Sequence, residues 1–126
     1  MSEIKRHNID QTEADEYAYS EIVEAGDFVF LTFCPGSGAT FEEAVNSSLD
    51  CMSVRLEKVG LTLESVLKLD VLMYDRANIP IMEKVFKERF KGKYPARKVI
   101  ATEFAHRGKE EPDSLHVQID AVAYRK

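Results

Sequence analysis

No stretch of 18 apolar residues occurs in this 126-residue chain, which excludes a membrane-spanning helix. The N-terminus Met1-Ser2-Glu3-Ile4-Lys5-Arg6 lacks the apolar run of a secretory leader, and its acidic continuation does not suit a transit peptide, so a cytoplasmic location is expected. Cysteine is scarce. Cys34 and Cys51 share no CxxC spacing, so reduced thiols are expected in place of a disulfide framework or a zinc site. His7, His106 and His116 show no metal-ligand spacing, and no metal or cofactor is implied. Gly36-Ser37-Gly38 lacks the GxxxxGK[ST] continuation of a phosphate-binding loop and reads as a turn. Repeats, low-complexity tracts and Pro/Ser-rich linkers are missing too, so residues 1–126 read as one domain.

What is there is ordinary for a folded protein. A hydrophobic fraction of 44% beside 31% charged residues rules out a disordered reading. A chain of this size buries roughly two-thirds of the surface it exposes when unfolded, enough for one core. The net charge of −5 is uneven, with acids crowding residues 1–27 and bases crowding residues 83–98. An acidic protein repels a phosphate backbone at long range, so no nucleic-acid partner is expected. A small anion suits the local basic stretch better.

The pattern along the chain predicts an early strand near Ile4 to Ile9 and then a strand pair, Tyr19 to Val23 and Asp27 to Phe33, around the turn signal Ala25-Gly26. Residues 35–39 read as a loop. A helix starts at the capping box Thr40-Phe41-Glu42-Glu43 and stops at Gly60. Its buried stripe is Phe41, Val45, Leu49, Met52, Leu56 and Val59, while Asn46, Asp50, Arg55 and Lys58 are left to water. Val66 to Asp75 follows as a strand with Leu67, Leu69, Val71 and Met73 on one face. Asn78 is positioned to cap a second helix, with Pro80 in its first turn, the stripe Ile79, Met82, Phe86 and Phe90, and Gly92 as its stop. Arg97 to Phe104 and Leu115 to Tyr124 complete the set, around a polar loop from His106 to Ser114. Two helices cover one face only of such a sheet, which makes the expected fold α+β, mixed or mostly antiparallel, with both helices on one side.

Three segments carry a resemblance: Tyr19-Ser20, Pro95-Ala96-Arg97, and Val117-Gln118-Ile119-Asp120-Ala121-Val122-Ala123. Together, and in order along nearly the whole chain, they resemble the RidA/YjgF family. The resemblance implies a chorismate-mutase-like fold and a homotrimer with a central barrel and clefts between subunits. It also implies hydrolysis of enamine and imine intermediates such as 2-aminoacrylate and 2-iminopropanoate to 2-keto acids and ammonia. Arg97 matches the family's arginine, and a guanidinium fork can hold a substrate carboxylate by two parallel charge-assisted bonds.

Gln118 falls at the family's water-activating position, commonly a glutamate. A glutamine can hold water but cannot take its proton. Two readings of Gln118 stand: a water-positioning group, or a sheet-face residue hydrogen-bonded across the subunit boundary. Tyr19 matches an active-site tyrosine, Thr32 stands where serine is usual, and Phe33 and Cys34 replace glycine and glutamine in the pocket wall. Asp120 and Glu83, the latter at a common asparagine position, are accessory candidates. The leading expectation is therefore a deaminase. The alternative is a non-catalytic pocket for keto acids or amino-acid metabolites. The endoribonuclease label that some members carry has little support here, since no histidine pair for acid–base cleavage and no aromatic RNA platform is recognisable.

Overall fold

A computed structural model describes residues 3–105 and 112–126. Its centre is a six-stranded mixed sheet. The strands are β1 (Ile4–His7), β2 (Ile22–Ala25), β3 (Phe28–Ser37), β4 (Val66–Met73), β5 (Ala96–Ala101) and β6 (His116–Tyr124), and the helices are α1 (Gln11–Tyr17), α2 (Phe41–Lys58) and α3 (Ile79–Phe90). Across the sheet the order is β1-β2-β3-β6-β4-β5. Only β4 and β5 pair in parallel, with α3 in their crossover; the other neighbours are antiparallel.

The two long helices lie on one face because each carries a single apolar stripe. Phe41, Val45, Leu49, Met52, Leu56 and Val59 of α2 and its end are all buried, as are Met82, Val85, Phe86 and Phe90 of α3. Beneath them lie Val29, Leu31, Cys34, Leu69, Val71, Met73, Val117, Ile119, Ala121 and Ala123. Each fully buried aliphatic side chain contributes on the order of 1.5–3 kcal/mol relative to exposure. Thr40 caps α2 as expected, its Oγ1 accepting from the Glu43 amide at 3.1 Å. The Glu43 carboxylate reaches one residue further back than a capping box requires, accepting from the Ala39 amide at 3.1 Å. Gly60, at φ +77°, takes the left-handed conformation that ends the helix.

Neither α2 nor α3 covers the opposite sheet face. Phe28, Phe30, Tyr74 and Ile100 are exposed there or along its edges.

Several expectations are corrected. The short helix α1 went unpredicted because only Ala14 of its residues is buried, so it has no apolar stripe; Asp10 caps it by accepting from the Glu13 amide at 3.0 Å. Strand β3 runs on to Ser37 through the expected loop, with Cys34, Pro35, Gly36 and Ser37 paired to β6. Gly36 permits this, since a Cβ there would stand 2.0 Å from the Ala44 carbonyl oxygen of α2. A register shift between Val66 and Lys68 lets Val66 enter the core and leaves Leu67 exposed, against the expected alternation. Asn78 makes no capping bond and instead donates to the Ser114 carbonyl at 3.1 Å. The expected strand Arg97 to Phe104 ends at Ala101. Of the expected polar loop, residues 106–111, His106 among them, lie outside the described residues.

Arg55 departs furthest from expectation. It is 7% exposed on the core side of α2, not in water. Its Nη2 lies 3.6 Å from the Glu21 carboxylate, and its Nη1 donates to the Thr32 and Phe33 carbonyls, the latter at 2.8 Å. Those carbonyls belong to a bulge where β3 loses register with β6 between Leu31 and Cys34. A buried charge ties down the irregular stretch of backbone.

Candidate functional site

Strand parity places Arg97. It pairs with Leu69 across the β4–β5 ladder, and partners in register share a sheet face, so the guanidinium projects to the helix side at the outer strand. There it stands in a cavity of about 440 Å3 lined by Leu69, Glu83, Phe86, Lys87, Tyr94, Pro95 and Arg97. Leu69 and Phe86 supply an apolar floor, and the charged groups stand around it. Arg97 Nη2 donates to Glu83 Oε2 at 3.3 Å, with side-chain exposures of 35% and 44%. A pair so exposed is worth at most about 1 kcal/mol, so an incoming carboxylate can displace it.

Gln118 is elsewhere. It pairs with Leu72 of β4, and therefore projects to the helix-free face, opposite to Arg97. It is 6% exposed, its amide 3.1 Å from His116 Nε2, while His116 Nδ1 lies 2.6 Å from Ser37 Oγ. The Phe104 ring meets the imidazole edge-on at a centroid distance of 4.7 Å. Within one protomer, Arg97 and Gln118 do not share a cavity.

The remaining candidates fall into two further groups. Thr32 and Asp120 line a second hollow of about 230 Å3 on the helix-free face, with Ser20, Lys68 and Asp70. Thr32 Oγ1 is 3.5 Å from Asp120 Oδ1. Asp120 sits directly across the ladder from Asp70. Burial, and then repulsion from Asp70, push the Asp120 carboxyl above its ordinary range, against a smaller opposing bond from Thr32. The base at this spot is Lys68, which lies 3.3 Å from Asp70 Oδ1.

Tyr19 precedes β2, near the other end of the sheet. Its ring lies 6.0 Å from that of Phe33, and its hydroxyl donates to Glu13 at 3.0 Å. Burial first, and then the Glu13 carboxylate, push the phenol up to about 12, so it is a donor at neutral pH. Cys34 is fully buried beneath α2, 3.7 Å from Arg55 Nη1. A hydrogen bond with Cys51, together with burial, pushes its thiol up.

Sequence reasoning missed the Arg55–Glu21 pair that fixes this wall. Glu21 also accepts from the Ile9 amide, its own amide donates to Asn8 Oδ1 at 2.7 Å, and its carbonyl accepts from the Thr32 amide at 3.1 Å. An acid beginning a strand-rich stretch and an arginine interrupting an apolar helix stripe were the signals available. Among the described residues no cluster of three or more His, Cys, Asp or Glu could hold a metal ion, and no helix is long and apolar enough to cross a membrane.

The fold has relatives. No family model matches the chain. A Streptococcus pyogenes protein, a member of the yjgF family, has a solved structure that superposes with a TM-score of 0.84 at 46% identity, covering 98% of each chain. A Mycobacterium tuberculosis member of the YjgF/YER057c/UK114 family superposes with a TM-score of 0.83 at 20% identity, over 97% of this chain and 99% of that one. A RutC family protein of Pyrococcus horikoshii is 27% identical over 116 residues, 86% of this chain and 87% of its own length.

Proposed function

This chain belongs to the YjgF/UK114 family, and from that premise we propose that it hydrolyses small reactive enamine and imine carboxylates, of the 2-aminoacrylate and 2-iminopropanoate type, to 2-keto acids and ammonia. One observation carries the reading: Arg97 stands over an apolar floor in a cavity of about 440 Å3, paired among the described residues with a half-exposed glutamate. A forked cation beside Leu69 and Phe86 suits a ligand with a carboxylate at one end and a short aliphatic group at the other. Holding the carboxylate by two bonds fixes the adjacent imine carbon for attack by water, and such positioning is a large part of catalytic gain.

The proposed working form is a homotrimer with the site in a cleft between subunits. Arg97 is on β5 and Tyr19 leads into β2, four strand spacings away, or ~19 Å at the usual spacing between strands. Residues that far apart meet around a small ligand only if two copies contribute them. The exposed Phe28, Phe30, Tyr74 and Ile100 favour a partner sheet against the uncovered face. The proposed setting is the cytoplasm, with no nucleic-acid partner.

A second reading draws on Gln118. A buried amide that cannot accept a proton fits a pocket that binds a keto acid or amino-acid metabolite without turning it over. Ammonia release from freshly generated 2-iminopropanoate, compared among wild type, Arg97→Ala and Gln118→Glu, separates the two. Turnover by wild type that Arg97→Ala loses supports the deaminase. Keto-acid binding without turnover, with activity appearing only in Gln118→Glu, selects the binding protein.

A further inference from the structure

Among the described residues the carboxylate paired with Arg97 is Glu83, and a carboxylate is what position 118 lacks. Glu83 Oε2 stands 3.3 Å from Arg97 Nη2 inside the same cavity, one helical turn before Lys87 on α3. The two groups form a short dipole over the floor of Leu69 and Phe86. An imine carboxylate carries the complementary dipole when its nitrogen is protonated, with the negative carboxylate one carbon away from the positive iminium. Resting on the deaminase reading of the Arg97 site, we propose that Glu83 receives the iminium nitrogen of the substrate and, during turnover, takes the proton of the attacking water.

The chemistry balances with water alone as co-reactant. The water oxygen bonds to the imine carbon, the π pair of the C=N bond moves onto nitrogen, and a water proton passes to Glu83. Glu83 returns that proton to the nitrogen. The C–N bond then breaks as the hydroxyl O–H pair becomes the C=O bond, and the released proton leaves with ammonia as ammonium. Glu83 is unchanged at the end. Gln118, which lies on the opposite face of its own sheet, is not asked to accept a proton.

The same geometry makes the site selective for zwitterions. A 2-keto acid offers only the negative end and must sit beside the Glu83 carboxylate, whereas the matching 2-amino or 2-imino acid engages both groups. An alternative in which Glu83 merely plugs the empty arginine predicts that its removal tightens the zwitterion as well as the anion, so the zwitterion decides between them.

The experiment uses the purified full chain in the assembly it forms, with alanine and pyruvate as probes of zwitterion and anion, read by calorimetry in wild type and Glu83→Gln. Because Glu83 is exposed on a helix, the substitution leaves the fold intact, checked by an unchanged melting temperature. The expected result is alanine binding weakened by about tenfold, the scale of one charge-assisted hydrogen bond, with pyruvate binding tightened. Tightening of both ligands, or no change in either, overturns the proposal. In the hydrolysis assay Glu83→Gln is expected to lower kcat by about 10²-fold with KM changed by only a few-fold. A kcat within threefold of wild type overturns the proton role. If wild type shows no turnover while the alanine and pyruvate affinities still move in opposite directions, the deaminase reading fails and Glu83 stands as a specificity residue.

Discussion

Arg55 and Arg97 each lie within ion-pair distance of a glutamate, yet their surroundings give them opposite roles. Arg55 is enclosed by α2 and the β3 bulge, and its guanidinium is committed to Glu21 and two backbone carbonyls. Arg97 lies on an outer strand beside a cavity, its contact with Glu83 open to water. Removing water raises the cost of leaving a charge unpaired, so the buried arginine holds the fold, whereas the half-exposed one can exchange its glutamate at little cost, as the proposed ligand role requires. The difference lies in what encloses each side chain, not in the side chain itself.

The largest effect that would test this contrast is on stability. Arg55→Ala strands the Glu21 carboxylate and the Thr32 and Phe33 carbonyls, and is expected to cost about 3–5 kcal/mol in denaturant unfolding. A cost under about 1 kcal/mol would erase the distinction between the arginines. Arg97→Ala is expected to leave the melting temperature within a degree or two while turnover falls by at least about 100-fold, close to 2.7 kcal/mol of transition-state binding. A matched loss of stability would instead make Arg97 structural.

Arg97→Lys sharpens the point. It keeps the charge and loses the fork, so turnover should fall between wild type and alanine, mostly through kcat. Thr40→Ala removes an ordinary helix cap and is expected to cost about 1 kcal/mol with no change in kinetics.

The smallest expected effect concerns carboxylates with no arginine at all. Asp120 faces Asp70, and its folded-state pKa is raised, so its charged form is disfavoured by folding. The penalty is therefore present at neutral pH and fades as acid protonates the group in both states. Asp120→Asn should stabilise the protein at pH 7, and the gain should shrink as pH falls through the raised folded-state pKa towards the ordinary aspartate value, below which it is gone. A gain that does not vary with pH would point to packing.

The contrast between the arginines also marks where sequence reasoning stops. The α2 and α3 stripes were legible because helical periodicity is local, and Leu49, Met52, Phe86 and Phe90 are buried as their spacing required. The Pro95-Ala96-Arg97 motif marked Arg97 in the same way. Arg55 was misread because a charged residue on a helix defaults to water, and nothing local reveals Glu21, which approaches from another part of the chain. The family resemblance groups Gln118 and Arg97 in one cleft between subunits; that they face opposite sides of one protomer's sheet was not legible, because alternation within a strand gives relative faces only for that strand. Bulges between Leu31 and Cys34 and between Val66 and Lys68 then shift the parity again.

By itself the sequence determined the two long helices and the apolar stripes they bury, the approximate place of the strands, the cap at Thr40 and the family motif around Arg97, since each of these depends on residues a few positions apart. Only the tertiary structure decided that Arg55 is interior, that Glu83 is the carboxylate beside Arg97, and that Gln118 belongs to the other face. Those facts depend on strand order, on register and on the burial of charge. All three are set by contacts between distant segments, where solvent exclusion and not periodicity fixes what a side chain can do.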